Sequence, residues 1–295
     1  MGADLTAEWH GEAMGSQVHL VVDAAAEPLL AGAIARIRDW EIRWSRFRDD
    51  SEIAALNRTN GRPVVVRPDT ATLVQLAVDA WHATDGRFDP TVHDAVVAAG
   101  YGRPFAHGPT AVHTPVTAPG AADVSVDAAT GLVSLPPGVR LDLGGIAKGH
   151  AADLVVADLL SGGANGAAAT IGGDTALGGR CPFAPAWPIT AAECGDEPIA
   201  HLERGGFCFS TTRRRRWPTP SGDAHHVIDP TTGTSASGAV ATAAVAASTA
   251  AAAEVFATAA IVAGWPAAAS LVEPAGLSGF VVIDDGTRHR LGPFG

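Results

Sequence analysis

Residues 141–153 read LDLGGIAKGHAAD, and the rest of the chain is interpreted outward from this stretch. Gly144 and Gly145 let the backbone approach a ligand closely, and the spacing around them predicts a strand end, a glycine turn and a helix to about Leu160. A helix N-terminus presents unpaired N–H groups and the positive end of the helix dipole, which suits phosphate. Lys148, the only lysine in the chain, falls in the first turn of that helix.

Taken alone, this stretch has two interpretations. It lacks the Lys-Ser/Thr ending of a P-loop and the glycine spacing of a dinucleotide-binding turn. It is either a phosphate-binding turn, in which Lys148 supplies a flexible point charge, or a tight strand-to-helix turn with a solvated lysine. The choice between these two interpretations depends on the other motifs in the chain.

Composition narrows the class of protein. The chain has 295 residues, 47% of them hydrophobic, which is enough for a large core in one or two domains. A net charge of -11 argues against a nucleic-acid partner. Cys181, Cys194 and Cys208 are odd in number and show no C-x-x-C spacing, so they indicate neither a disulfide framework nor a zinc site.

The chain shows no pattern of export or membrane insertion. Residues 1–19 carry acidic side chains and no apolar signal region, and there is no lipoprotein cysteine. The alanine-rich residues 240–264 contain Thr, Ser and Glu254, so we expect a buried strand and helix and no integral membrane segment. The sequence as it stands predicts a cytoplasmic protein, and an exported form stays open if the sequence is trimmed.

Periodicity predicts a mixed set of helices and strands. The predicted helices cover residues 27–44, 50–56, 69–84, the stretch after Gly145 to about 160, 248–263 and 266–272, with Asp69 and Ser248 as N-caps. The predicted strands cover residues 16–22, 64–66, 167–171, 188–192, 199–202, 207–210, 240–246 and a last one at 280–283, with a hairpin at 124–135. Residues 101–122 and 213–222 are predicted to be loops. Because helices and strands do not alternate strictly, we predict an α+β fold and treat residues 1–295 as a single mixed α/β domain.

Two glycine turns carry carboxylates. Asp85 and Asp89 flank a Gly-Arg-Phe turn, where ordinary turn chemistry is the commoner explanation. Gly172 and Gly173 end a predicted strand just before Asp174, and ligands gather at strand ends in α/β architectures. A structural turn accounts for these residues equally well.

Two further constellations could carry chemistry. His225 and His226 adjoin in a strand, so their side chains point to opposite faces and only one of them should enter a site, as a base or an orienting group. Glu254 and Thr258 are four residues apart and share a helix face. Buried there, they would need a cation or a hydrogen-bond partner, and such oxygen ligands suit Mg²⁺ beside phosphate. A surface Glu and a Thr bonded within its helix are the alternative.

The order of these motifs resembles the ApbE family of flavin transferases, from Met14 to about Gly264. The residues that carry the resemblance are Met14-Gly15-Ser16, Ser45-Arg46-Phe47, Asp50 to Asn57, Thr84 to Val92, Asp142 to Gly149, Gly172 to Asp174, Ser210-Thr211-Thr212, His226 to Pro230 and Ala253 to Ala259. The resemblance implies a T-fold-related domain with an FAD cleft at strand ends. It also implies Mg²⁺-dependent transfer of FMN from FAD to a Thr or Ser hydroxyl of an acceptor protein, with release of AMP.

The resemblance also assigns roles to individual residues. FAD would be held by Met14, Ser45, Arg46, Phe47, Asn57, Asp85, Asp89, Gly144, Lys148, Gly173, Asp174 and Thr211. Mg²⁺ would be held by the Gly145 carbonyl, Glu254 and Thr258, while His226 would stand near the reacting phosphate as the catalytic base, with Asp229 in the same loop. The acceptor would carry a Ser/Thr-Gly-Ala-Ser/Thr motif.

The sequence departs from the family pattern at two places. The family usually has Asp where this chain has Glu254, and its Ser-Thr-Ser-Gly segment reads Ser210-Thr211-Thr212-Arg213 here. A longer carboxylate side chain shifts the oxygens by about 1.5 Å, and Mg²⁺ requires near-ideal distances. Glu254 therefore makes a non-catalytic FAD-binding protein an alternative to the transferase. A hydrolase that splits FAD to FMN and AMP is a second alternative, because it uses the same chemistry with water and needs no acceptor.

Overall fold

The computed structural model describes residues 5–191, 195–220 and 222–293. Its α-helices are α1 (Leu30–Trp44), α2 (Glu52–Asn57), α3 (Pro68–Ala83), α4 (His93–Ala98), α5 (Ala147–Ser161), α6 (Ala250–Ala263) and α7 (Ala267–Val272). Short 3-10 helices cover Ala24–Leu29 and Phe105–His107. In this part of the chain, none of the helices combines the length and the apolar character that crossing a membrane requires.

The strands are short and most pair with a sequence neighbour. They are β1 (Thr6–Ala13), β2 (Ser16–Asp23), β3 (Val64–Val65), β4 (Ser125–Asp127), β5 (Leu132–Ser134), β6 (Gly166–Ile171), β7 (Asp174–Gly179), β8 (Trp187–Ala191), β9 (Gly195–Leu202), β10 (Gly205–Thr211), β11 (Arg216–Thr219), β12 (Gly222–His225), β13 (Ile228–Asp229), β14 (Thr234–Ser235), β15 (Val240–Ala247), β16 (Ser278–Ile283) and β17 (Arg288–Leu291).

An eight-stranded antiparallel sheet in the order β1-β2-β6-β7-β10-β15-β16-β17 forms the centre of the molecule. Smaller sheets are β3-β5-β4, β8-β9, β11-β12 and β13-β14. The predicted α+β class is confirmed, because helices and antiparallel strands are segregated and do not alternate as β-α units.

The strands of the central sheet bury both faces. Along β2, Leu20 and Val22 belong to the larger core, whereas Val21 belongs to a smaller core on the opposite face. Period-two alternation produces this split, since successive side chains of a strand point to opposite faces. Helices α1, α5 and α6 pack on the larger core, and the β8-β9 hairpin contributes Trp187 and Ile189 to the smaller one.

Two tight hairpin turns lie side by side at one end of this sheet. Met14 and Gly15 join β1 to β2, and Gly172 and Gly173 join β6 to β7, all four with positive φ. Two-residue turns of this kind match the twist of antiparallel strands and favour glycine. The Gly172 N–H donates to the Gln17 carbonyl at 2.9 Å, which brings the two turns together.

Several local predictions were wrong. The residues before Gly144 form no strand, because their backbone bonds go to α2 and to Pro90 and not to a neighbouring strand. Residues 213–222 contain β11 and the start of β12, and β16 is followed by β17. The strand β1 and the strand β7, which follows directly on Gly173, were not predicted.

Both predicted N-caps were also wrong. Helix α3 begins after Arg67, and the Asp69 carboxylate instead accepts hydrogen bonds from Trp40 and Arg43 of α1 at 2.7 and 2.6 Å. Helix α6 is capped by Thr249, whose hydroxyl accepts from the Ala252 N–H at 3.2 Å. Asp69 thus binds side chains of another helix, and the cap of α6 lies one residue after the predicted one.

Candidate functional site

A cleft of about 1370 Å³ opens at the end of the sheet where the two hairpin turns lie. This volume exceeds the roughly 300–1,000 Å³ typical of pockets for drug-sized ligands. The predicted site residues that line it are Met14, Ser45, Arg46, Phe47, Asp89, Gly144, Gly145, Lys148, Gly173, Asp174, Thr211, His226, Glu254 and Thr258. Residues scattered over more than two hundred positions of sequence thus converge on one concave surface.

Lys148 lies between two buried carboxylates. Its Nζ is 2.7 Å from Asp174 Oδ2 and also contacts Glu254 Oε1, and it donates to the Gly144 carbonyl at 3.3 Å. Burial acts to lower the pKa of Lys148, but the two carboxylates outweigh it and raise that pKa above its usual value. The sequence allowed a solvated lysine here, and the structure instead gives an ammonium held by both carboxylates.

The crossing of α5 and α6 fixes this arrangement. The Asp153 carboxylate of α5 accepts from the Ala250 and Ala251 N–H groups at 2.8 and 2.9 Å, and so caps α6. In return, Glu254 Oε2 of α6 accepts from the Gly149 N–H of α5 at 2.8 Å. A Cβ on Gly149 would lie 2.5 Å from the Ala250 carbonyl oxygen, so glycine is what allows this close approach.

The residues predicted to hold Mg²⁺ fit that ion in donor type. Thr258 Oγ1 lies 3.7 Å from where a Cβ of Gly145 would be and 3.1 Å from Ser210 Oγ, so the hydroxyl and the glycine backbone are neighbours. In the described part of the chain, Asp174 Oδ1 is buried without a hydrogen-bond partner. A buried unpaired carboxylate oxygen is costly, and a hard cation would satisfy it.

Among the residues predicted to hold Mg²⁺, Glu254 is the one whose ligand oxygens are already engaged by the protein. Its side chain is 2% exposed, and both of its oxygens already have partners, Lys148 and the Gly149 N–H. Burial raises the pKa of Glu254, the charge of Asp174 acts in the same direction, and Lys148 opposes both. The longer side chain that departs from the family pattern is therefore the one that reaches the ammonium of Lys148.

The two adjacent histidines occupy different surroundings, although not for the predicted reason: β12 ends at His225, and His226 lies in the bend that follows the strand. His226 lines the cleft, whereas His225 is buried with its Nε2 3.0 Å from the Ala236 carbonyl oxygen. Burial, with smaller contributions from Arg215, His225 and Lys148, lowers the pKa of His226 to about 3, so the ring is neutral at pH 7. Among the described residues nothing bonds to His226 Nδ1. A neutral imidazole of this kind can accept a proton from a ligand.

A set of polar contacts holds the stretch before Gly144 in place. Asn57 exchanges two hydrogen bonds with the backbone of Leu141, at 2.9 and 2.7 Å. Arg46 forms an ion pair of 2.7 Å with Asp142, whose other oxygen accepts from the Gly144 N–H at 2.8 Å. Arg46 therefore acts on the glycine turn through Asp142.

Three predicted residues lie outside the cleft lining. Asn57 is engaged with the Leu141 backbone, as described above. The Asp85 side chain is 95% exposed and pairs with Arg87 at 3.4 Å. Asp229 accepts from the N–H and hydroxyl of Thr231 at 2.9 and 2.7 Å, which closes its own turn. By contrast, Asp89 lines the cleft, and burial raises its pKa although Thr91 donates to it at 2.6 and 2.7 Å.

Sequence reasoning missed Arg215 and an aromatic cluster in the lining of the cleft. Arg215 has a positive φ and donates to the Gly15 carbonyl and Ser16 hydroxyl, both at 3.3 Å, so it joins the first hairpin turn to the basic segment. The sequence offered the run from Arg213 to Arg216 as a solvated loop or as a segment that could contact a phosphate or an acidic partner, and it gave Arg215 no role of its own. Tyr101, the single tyrosine, lies beneath the Arg46 guanidinium, which is 4.7 Å from its ring centroid, and faces Phe47 and Phe105.

Comparison with known sequences identifies one family. Residues 14–281 match the model of the ApbE family. A protein named FAD:protein FMN transferase from Rhodobacter capsulatus is 30% identical over 249 residues, which are 75% of this chain but 44% of that protein. One of the same name from Haemophilus influenzae is 26% identical over 246 residues, 76% of this chain and 70% of that protein.

Solved structures give the same result at the level of the fold. The ApbE protein from Thermotoga maritima superimposes with a TM-score of 0.85 at 26% identity, covering 97% of this chain and 96% of that chain. The flavinyl transferase ApbE from Pseudomonas stutzeri, in its apo form, gives a TM-score of 0.82 at 23% identity, covering 96% of this chain and 92% of that chain.

Proposed function

The chain belongs to the ApbE family, and from this premise we propose that it transfers the FMN part of FAD to a Ser or Thr hydroxyl of an acceptor protein. The observation that carries the proposal is the convergence of Lys148, His226, Glu254 and Thr258 on one cleft. A cation, a neutral base and hard oxygen donors are what phosphoryl transfer from a diphosphate requires. Relatives named FAD:protein FMN transferase support the choice of FAD as substrate.

Two parts of the cleft lining would bind different parts of FAD. The diphosphate would lie at the N-terminus of α5, where the positive end of the helix dipole favours an anion and Lys148 adds a cation. Arg215, beside the first hairpin turn, adds a second cation to the same surface. The aromatic side chains Phe47, Tyr101 and Phe105 provide flat apolar surface for a ring system.

The reaction is a displacement at phosphorus. The acceptor hydroxyl oxygen forms a bond to the FMN-side phosphorus, and the bond from that phosphorus to the oxygen of AMP breaks. His226 takes the hydroxyl proton, so the products are the phosphoester-linked FMN-protein, AMP and one proton. The negative charge of a bound diphosphate would raise the pKa of His226 from its low value, which favours proton uptake.

Two acidic residues and one lysine set the charge of the site. Asp174 and Glu254 place two carboxyl groups against a single ammonium, and a cation bound beside them would favour the ionised form of Glu254, whose pKa burial raises. Glu254, Thr258 and the Gly145 carbonyl would hold Mg²⁺, with Asp174 Oδ1 beside them. The ion would supply charge neutralisation at the phosphate oxygens.

One observation favours a second function. Because both oxygens of Glu254 already have partners in the protein, the site could hold FAD without admitting the metal, as a non-catalytic binding protein would. A hydrolase would use the same groups with water in place of the acceptor hydroxyl. These readings differ in their products.

The experiment combines the protein with FAD, Mg²⁺ and a peptide that carries a Ser/Thr-Gly-Ala-Thr motif, and follows peptide mass and AMP together. Peptide that gains the mass of FMN, with an equal amount of AMP and a requirement for Mg²⁺, is the expected result. AMP without modified peptide would overturn the transferase in favour of the hydrolase. FAD bound with no AMP released, over a range of Mg²⁺ concentrations, would favour the binding protein.

A further inference from the structure

We propose that Glu8, His10 and His19, on the β1-β2 hairpin, form a binding site for a borderline divalent metal ion of the Zn²⁺ class. In the described part of the chain, these three side chains bring one ligand atom each to within 4.8 Å of the others. The proposal is independent of the flavin reaction, because it uses none of the residues assigned to that chemistry.

The register of the hairpin places the three ligands together. His10 and His19 are directly opposite each other in the antiparallel pair, and Glu8 precedes His10 by two residues. Side chains two residues apart point to the same face of a strand, and opposite residues have Cβ atoms about 4.5–5.5 Å apart. The backbone register therefore directs two imidazoles and a carboxylate to the same side of the hairpin.

The distances between ligand atoms suit a small metal ion. Glu8 Oε2 lies 2.9 Å from His19 Nε2 and 3.6 Å from His10 Nε2. In a tetrahedral zinc site with bonds of about 2.0–2.2 Å, neighbouring ligand atoms are roughly 3.3 Å apart. The distances from the carboxylate oxygen to the two imidazole nitrogens are thus close to the spacing between two ligands of one metal ion.

Binding requires the two rings to turn. The His10 and His19 rings are stacked with centroids 4.0 Å apart and planes 12° from parallel, so their nitrogen lone pairs do not yet converge. The His10 side chain is 69% exposed and that of His19 is 38% exposed, so rotation about their side-chain bonds meets little packing. The hydrogen-bonded cluster is then the metal-free form of the site.

The donor set decides the class of ion. Two neutral imidazoles and one carboxylate suit zinc, nickel or copper, whereas Mg²⁺ selects oxygen ligands. Three protein ligands on an exposed surface leave at least one position for water or an anion. His10 and His19 also line the cleft, so a bound ion would add positive charge to its wall.

The experiment is calorimetric titration of the full-length protein with zinc chloride alone, without FAD, in excess Mg²⁺ to occupy oxygen-ligand sites. The test variant is His10→Ala/His19→Ala. The matched control is His107→Ala/His113→Ala, which removes two exposed histidines outside the hairpin. We expect wild type and control to bind one equivalent more than the test variant, or to bind it at least about tenfold more tightly, since even loss of an outer-shell partner costs about 10–100-fold.

Equal zinc stoichiometry and affinity in wild type and test variant, with both proteins folded by circular dichroism, would overturn the proposal. A measurement on the unaltered protein protects against misfolding of the variant. Electron paramagnetic resonance with one equivalent of Cu²⁺ should show superhyperfine splitting from two imidazole nitrogens, reduced to one in His10→Gln. A spectrum without imidazole nitrogen, or one unchanged in His10→Gln, would also overturn it.

Discussion

His226 differs from its neighbour His225 in what its ring can do. His225 is committed to the Ala236 carbonyl, whereas His226 faces the cleft with an unpartnered Nδ1 within the described structure. The ring of His226 is neutral because burial lowers its pKa to about 3. A neutral ring beside a cationic surface suits a base that becomes effective once an anionic substrate is bound.

Replacing His226 with Ala should reduce the rate of FMN transfer by about 100- to 10,000-fold, the usual contribution of a general base, with little change in FAD affinity. Transfer is measured by peptide mass and FAD binding by fluorescence quenching. His225→Gln is the control and should retain transfer, since that side chain does not line the cleft. Normal transfer by His226→Ala would show that another group takes the proton.

Glu254 stands where the resemblance led us to expect an Asp, and in the structure the length of its side chain has a consequence. The extra methylene lets the carboxylate reach Lys148 while its other oxygen accepts from the Gly149 N–H. A shorter Asp would withdraw the carboxylate by about 1.5 Å and loosen the ion pair. Competition between the ammonium and a metal for this carboxylate would then weaken.

Glu254→Asp should therefore lower, several-fold, the Mg²⁺ concentration needed for half-maximal AMP release, and should strengthen Mg²⁺ binding measured by calorimetry in the presence of FAD. The loss of the Gly149 hydrogen bond should cost about 1 kcal/mol of unfolding free energy. Glu273→Asp makes the same change outside the cleft lining and should alter neither Mg²⁺ value. Weaker Mg²⁺ binding by Glu254→Asp would contradict the competition.

At the scale of elements, the crossing of α5 and α6 positions the polar groups of the site. Each helix supplies a carboxylate that binds backbone N–H groups of the other, Asp153 toward α6 and Glu254 toward α5. These reciprocal bonds require the helices to approach closely at Gly149. Lys148, the residue before it, is thereby held against both carboxylates.

Gly149→Ala should lower the unfolding free energy by about 1–3 kcal/mol, because the new Cβ would lie 2.5 Å from the Ala250 carbonyl and force the helices apart. The measurement is urea denaturation. The control is Gly32→Ala in α1, where no heavy atom lies within 4 Å of the new Cβ. That change should raise stability by about 0.5–1 kcal/mol, since alanine is the better helix former. Similar effects of the two substitutions would argue against a tight crossing.

A second contact between elements explains a wrong prediction. Arg43 of α1 is buried and donates to Asp69 and Thr70 of α3 at 2.7 and 3.0 Å, and to Glu52 of α2 at 3.4 Å. Burial would raise the pKa of Asp69, but the Arg43 and Trp40 hydrogen bonds lower it to about 2. Arg43 therefore joins three helices, and Asp69 links α3 to α1, although its position in the sequence suggested a cap for α3.

At the scale of the whole molecule, buried histidines couple stability to pH. His150 is 7% exposed beside Trp44, and burial lowers its pKa from 6.5 to about 4. Between these two values the unfolded chain binds more protons at this position than the folded protein. Stability therefore rises with pH across this window and is lost as the pH falls from about 6.5 to about 4.

His150→Gln should remove this contribution. Between pH 7.5 and pH 5, wild type should lose about 2 kcal/mol more unfolding free energy than the variant, from a pKa difference of about 2.5 units. Urea denaturation at the two pH values gives both quantities. Asp153, whose pKa burial raises to about 6, acts in the opposite direction but is common to both proteins and cancels. Parallel pH profiles would contradict the assignment to His150.

The sequence by itself determined the class of fold, much of the local structure and the family. Period-two alternation predicted a strand near residues 16–22, and short apolar runs predicted strands near 167–171 and 240–246. Helical patterns predicted α1, α3, α5 and α6 to within a few residues. The order of short motifs identified the ApbE family, which the match over residues 14–281 confirms. Such signals are local, so they survive without knowledge of what packs against them.

Only the tertiary structure decided which residues contact each other. The order of eight strands in the central sheet and the Lys148 ion pairs to Asp174 and Glu254 join residues that are distant in the sequence. Asn57 likewise binds backbone 84 residues away and does not enter the cleft lining. Propensity and spacing report which conformation a segment prefers, whereas the position of a charged group depends on which element packs beside it. The sequence could therefore nominate Lys148 and Glu254 separately, but not the contact between them.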